Sequence, residues 1–129
     1  MEKRVIATKN APEAIGPYSQ AVVINGFLYS SGQIALTPSG EFLDGDIQTQ
    51  SEQVLKNLQA VLAEAGATLD DVIKTTIFLD DIDDFVAVNE VYSRFFGDNR
   101  PARSTVAVDK LPKGAKVEIE CIAKIPEKS

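Results

Sequence analysis

The chain has 129 residues, 13 Lys and Arg against 19 Asp and Glu, no histidine and a single cysteine. That length fits one domain spanning 1–129, and a formal charge of −6 repels a phosphate backbone, so nucleic acid is a poor partner. With no histidine and Cys121 alone, no internal disulfide and no transition-metal ligand set can be assembled, and a serine nucleophile has no imidazole base. Apolar runs are only a few residues long and the amino terminus lacks a secretory pattern, so a cytoplasmic protein without membrane contact is expected.

Residues 3–8 read as a short strand, and 10–17 as a loop broken by two prolines and a glycine, with Tyr18 directly after it. Gln20 to Ile24 and Phe27 to Ile34 form a hairpin around Asn25-Gly26, a pair suited to the positive φ angles of a type I′ turn. From about Asp46 to Ala65, Val54, Leu55, Leu58, Val61, Leu62 and Ala65 recur on one helical stripe that Gly66 ends. Val72 to Leu79 is β-branched and reads as a mostly buried strand.

A second helix starts near Ile82, with Asp81 as N-cap and Gly97 as its end, carrying Phe85, Val88, Tyr92, Phe95 and Phe96 at helical spacing. Arg103 to Val108 and Ala115 to Ile125 follow as strands joined by a turn at Leu111 to Gly114. The order implies an α+β sheet with both helices on one face. In the last strand Ala115, Val117, Ile119, Cys121 and Ala123 alternate with Lys116, Glu118, Glu120, Ile122 and Lys124, so one side is core. The other, with Ile122 among charges, is expected to be covered by other subunits.

Chemistry concentrates where a cation opens one strand and two carboxylates stand on the next. Arg103 follows Pro101-Ala102, and a guanidinium there can present a rigid fork to a carboxylate; its ordinary use is a rim salt bridge. Glu118 and Glu120 share a face about 7 Å apart, a spacing that also fits two solvated carboxylates paired with Lys116 and Lys124. Tyr18 offers a phenol or an amphipathic edge of the core, and Ser31-Gly32-Gln33 a hydroxyl with close backbone approach or a simple bulge. Cys121 belongs to the apolar set and reads as a small buried hydrophobe. One of the two glutamates as acid or base, with Arg103 as anion clamp, is the economical hypothesis; alternation alone does not choose between them.

Several separated motifs together resemble the Rid family of reactive intermediate deaminases, from Val5 to Ile125. They are Asn10-Ala11-Pro12, Ile15-Gly16-Pro17-Tyr18-Ser19-Gln20, Ser31-Gly32-Gln33-Ile34, Val72-Ile73-Lys74-Thr75-Thr76, Phe85 with Val88-Asn89, Pro101-Ala102-Arg103-Ser104, Leu111-Pro112 and Val117-Glu118-Ile119-Glu120. The resemblance implies a chorismate-mutase-like mixed sheet assembled as a homotrimer with sites at the subunit interfaces. It further implies cofactor-free hydrolysis of enamines and imines such as 2-aminoacrylate and 2-aminocrotonate, products of pyridoxal-phosphate enzymes, to 2-keto acids and ammonia.

Carried over by residue, Arg103 grips the substrate carboxylate, the Thr105 backbone amide adds a hydrogen bond, and Glu118 orients or deprotonates water. Tyr18, Ser31, Gly32, Phe85 and Asn89 line or support the pocket. Thr105 stands where many relatives carry cysteine, so thiol chemistry does not transfer, and Asp109 is unusual at the rim. A non-catalytic trimer that binds 2-keto acids is the competing reading; a ribonuclease or translation inhibitor fits the acidic surface less well.

Overall fold

A computed structural model describes residues 2–127. In chain order these form β1 (Arg4–Ile6), β2 (Ala21–Ile24), β3 (Phe27–Ser30), α1 (Ile47–Glu64), β4 (Val72–Leu79), α2 (Phe85–Phe96), β5 (Ala102–Ala107) and β6 (Val117–Lys124). One six-stranded sheet runs β1-β2-β3-β6-β4-β5, antiparallel throughout except for the parallel pair β4 and β5. Two helices pack on one face of this mixed sheet, as the α+β order requires. No helix among the described residues is long and apolar enough to cross a membrane.

Each helix end has a local cause. The Asp46 carboxylate accepts the Thr49 amide at 2.8 Å and starts α1, whose Val54, Leu55, Leu58, Val61 and Leu62 are wholly buried. Asp81 caps a short 3₁₀ turn, Ile82–Asp84, by accepting the Asp83 amide at 2.9 Å, and α2 proper begins after it at Phe85. The Asn25-Gly26 turn takes φ of 57° and 82°, the left-handed pair that the hairpin demands.

Two expectations change. The strands carrying Arg103 and Glu118 are not neighbours, because β4 lies between them. Val117, Ile119 and Ala123 are completely buried whereas β5 is half-exposed or exposed along its length, so the apolar strand fills the centre and the polar one takes the edge. β4 in turn buries only Val72, Thr75, Ile77 and Leu79, leaving Lys74, Thr76 and Phe78 on its open face.

The first hairpin also ends early. β3 stops at Ser30 and contact with β6 resumes through an isolated bridge at Gln33 and Ile119. From the Tyr29–Ile122 pair to that bridge, four residue steps on one strand face three on the other, so a bulge occupies Ser30 to Gly32.

Three amides brace the loops beside this bulge. Gln20 accepts the Thr8 amide at 2.7 Å and donates to the Pro12 carbonyl at 2.7 Å, pinning the first loop. Asn57 on α1 donates to the carbonyls of Ile34 and Leu36 at 3.2 and 2.8 Å. Gln50 donates to Gly45 at 3.2 Å and accepts the Lys116 amide at 2.9 Å, tying α1 to the start of β6. Such buried amides hold the backbone only while both ends are satisfied.

Candidate active site

Residues paired across a sheet share a face, and this divides the candidate residues into two groups. Thr75 pairs with Arg103, and the Thr75 hydroxyl meets the Tyr92 hydroxyl of α2 at 2.8 Å, so Arg103 lies on the helix-covered side. Phe78 pairs with Glu118, and three steps along β4 reverse the side. The sheet itself therefore stands between Arg103 and Glu118 of one chain.

The first group collects around α2. Arg103 donates from Nη1 to Asn89 Oδ1 at 2.8 Å, and its guanidinium carbon sits 5.4 Å from the Phe85 ring centre. Thr105 follows on the same side of β5. The Val108 amide donates inward to Leu79 at 2.8 Å, so by the two-residue period the Thr105 amide faces the free edge, open to a ligand. The Thr105 hydroxyl oxygen is buried without a hydrogen-bond partner in the chain.

The second group collects around the bulge. Gly32 lies so close to Glu118 that a β-carbon there would stand 2.5 Å from Oε2 and 2.8 Å from Cδ. Glycine is required here by contact, and it gives Glu118 its place. A cleft of about 110 Å³ has Tyr18, Gly32, Glu118, Pro112 and Lys113 among its lining residues. Tyr18 is half-exposed, while Ser31 turns its hydroxyl to the Ser19 carbonyl at 2.6 Å and its amide to Gln20 at 2.9 Å. Ser31 thus tethers the loop that carries Tyr18, and its oxygen keeps lone pairs to accept from a ligand.

Burial raises the Glu118 carboxyl above its ordinary value, and the nearby Glu120 carboxylate raises it further. The first and larger of these effects is not available to a fully solvated rim carboxylate. With the folded value above the unfolded one, Glu118 favours the folded chain below the ordinary glutamate range, and that contribution is lost as pH rises through its folded pKa. Burial is also the main cause that lifts the Cys121 thiol to about 11, so it remains a protonated, inert core group. No cluster of three or more His, Cys, Asp or Glu suited to a metal occurs among the described residues.

Replacing Gly32 by alanine is expected to displace the Glu118 carboxylate while leaving the fold intact, because only a flexible side chain must move. Catalytic turnover should fall about 10- to 100-fold with little change in thermal melting, a separation that steady-state kinetics and calorimetry check together.

Sequence reasoning missed Tyr92 beneath Arg103 and the braces Gln20, Gln50 and Asn57. Tyr92 was visible only as one apolar position of a helical stripe. The braces are polar residues in apolar surroundings, and nothing in one sequence separates those from surface amides.

Comparison with known proteins bears on the fold and the family. A family model described as Endoribonuclease L-PSP matches residues 8–125. The human protein named 2-iminobutanoate/2-iminopropanoate deaminase is 48% identical over 122 residues, covering 94% of this chain and 89% of that one. A crystal structure from Yersinia pestis, of a protein of unknown function in the conserved Rid family, is 56% identical with a TM-score of 0.94, covering 96% of this chain and all of the other. Escherichia coli TdcF, solved with bound serine, is 43% identical with a TM-score of 0.90, over 94% of this chain and 98% of its own. The motifs, the sheet order and these likenesses place the chain in the Rid family, the family that the Endoribonuclease L-PSP model describes.

Proposed function

We propose that the protein hydrolyses 2-imino and 2-enamino acids, among them 2-iminopropanoate and 2-iminobutanoate and their enamine forms 2-aminoacrylate and 2-aminocrotonate, to 2-keto acids and ammonia. One observation carries the reading: a guanidinium with free donors and a glutamate whose burial raises its carboxyl above the ordinary range, making it a stronger base than a solvated carboxylate, are both built into the fold, on opposite sides of one sheet. A site that uses both needs Arg103 from one copy and Glu118 from the next. Two different patches meeting head to tail close into a ring, for which the homotrimer implied by the resemblance is the simplest form. Exposed Tyr29 and Val106 on the open face are apolar surface for such a neighbour to cover.

Arg103 holds the substrate carboxylate through paired N–H donors, and the outward Thr105 amide adds a third. The carbon at C2 of the protonated imine then sits beside the Gly32 cleft of the adjoining copy. Glu118 accepts a proton from water as the oxygen bonds to C2 and the C=N π pair moves to nitrogen. The proton returns from Glu118 to the carbinolamine nitrogen, and as the C–N bond breaks the hydroxyl oxygen forms the C=O bond and gives up its proton, which leaves with the ammonia as ammonium. Water and the iminium supply every atom and charge of the products, so no cofactor is involved. Tyr18 lies at the mouth of the same cleft, its phenol free to hydrogen-bond the substrate.

The test is direct. With a serine dehydratase generating 2-aminoacrylate in situ, the protein should accelerate pyruvate release above the spontaneous rate; no acceleration by folded, associated protein favours the 2-keto-acid-binding alternative. Replacing Glu120 by glutamine should move the acid limb of the pH–rate profile to lower pH, because it removes the second cause that raises Glu118. An unshifted limb would show that the two carboxylates do not couple in the working enzyme.

A further inference from the structure

The guanidinium of Arg103 is held almost entirely by faces of rings. Phe85, Asn89 and Tyr92 lie four and seven residues apart on α2 and so line one side of the helix. Arg103 packs against all three, with its guanidinium carbon 5.1 Å from the Tyr92 ring centre and 5.4 Å from that of Phe85, and one hydrogen bond to Asn89. Among the described residues no hydrogen bond joins it to a carboxylate.

Tyr92 is fixed from behind. Its hydroxyl meets Thr75 at 2.8 Å, and its ring stacks on Phe96 with centres 4.4 Å apart. The polar tip is thus turned into β4 and the π face is turned to the cation. Thr75 is also the residue that pairs with Arg103 across the sheet, so the anchor and the anchored cation share one register position.

We propose that Tyr92, with Phe85 against the same guanidinium and Thr75 as its anchor, is a positioning residue for anion recognition: it holds the Arg103 guanidinium without occupying its donors. A guanidinium has five N–H groups, and the cradle commits only the one bonded to Asn89. A carboxylate partner in the same place would occupy the fork and compete with any incoming anion. Ring faces stabilise the charge and restrict its motion while leaving the fork open. This assignment rests on the anion-clamp reading of Arg103 but concerns different residues.

Calorimetric titration with pyruvate, as a 2-keto acid of the product class, tests it on the full-length assembled protein. Phe85→Leu and Tyr92→Leu should each weaken binding about two- to thirtyfold and raise KM with little change in kcat, whereas Tyr92→Phe, which retains the ring, should stay within about threefold of wild type. Phe85 is more than one-third exposed, so its variant separates the cradle from core packing. Leucine variants that melt earlier yet bind pyruvate with unchanged affinity and keep their KM would overturn the proposal and make Tyr92 a core residue. If Arg103→Ala itself leaves pyruvate binding intact, the clamp reading falls and the cradle with it; if only Arg103→Ala weakens binding, the clamp stands and the cradle is refuted.

Discussion

Replacing Arg103 by alanine is expected to lower kcat/KM about a hundred- to thousandfold, equivalent to about 3–4 kcal/mol of lost substrate and transition-state binding. The loss should fall largely on KM, since the guanidinium holds a carboxylate that is charged before and after reaction. Arg103 is partly exposed and its cradle is formed by neutral groups, so the variant should melt within about 3 °C of wild type. Lysine at this position retains the charge but not the planar fork, and should recover only part of the affinity. An alanine variant with unchanged kcat/KM on 2-aminoacrylate would remove Arg103 from the site.

Replacing Glu118 by glutamine should leave KM near wild type and reduce kcat about a hundred- to ten-thousandfold, the usual range for a positioned proton acceptor. Glutamine keeps the shape beside Gly32 but cannot take the proton from water. Full activity in Glu118→Gln with loss in Glu120→Gln would transfer the role to the other carboxylate, which sequence alternation alone allows.

The two inactive variants together test the assembly. Dissociated and reassociated in equal amounts, Arg103→Ala and Glu118→Gln chains should regain about a quarter of wild-type activity, because that share of adjoining pairs has an intact Arg103 on one side and an intact Glu118 on the other. Recovery excludes a site contained in one chain. Persistent inactivity of a fully reassociated mixed assembly would overturn the shared-site reading.

Much of the fold was legible before the structure. The Asn25-Gly26 turn, the apolar stripe of α1, the aspartate cap ahead of α2 and the alternation of β6 each depend on neighbours within a few residues, where sequence order and spatial order agree. The candidate site residues were legible too, but through the likeness of several motifs taken together; residue chemistry alone left Glu118 and Glu120 equivalent. The break at Ser31-Gly32 was readable only as a bulge or a site. It is both, because the extra residue of the bulge brings Gly32 against Glu118.

What the sequence determined by itself was therefore local periodicity, caps and turns, together with the exclusions that follow from an acidic chain without histidine. Only the tertiary structure decided that β6 enters between β3 and β4, that Glu118 meets Gly32 across 86 positions of chain, and that Arg103 and Glu118 face opposite ways. These outcomes depend on strand order and on face, which hydrogen-bond pairing and burial of the most apolar strand settle over the whole sheet. A two-residue period places side chains on alternate sides but carries no information about which strand lies next door, and that neighbour is what makes a site.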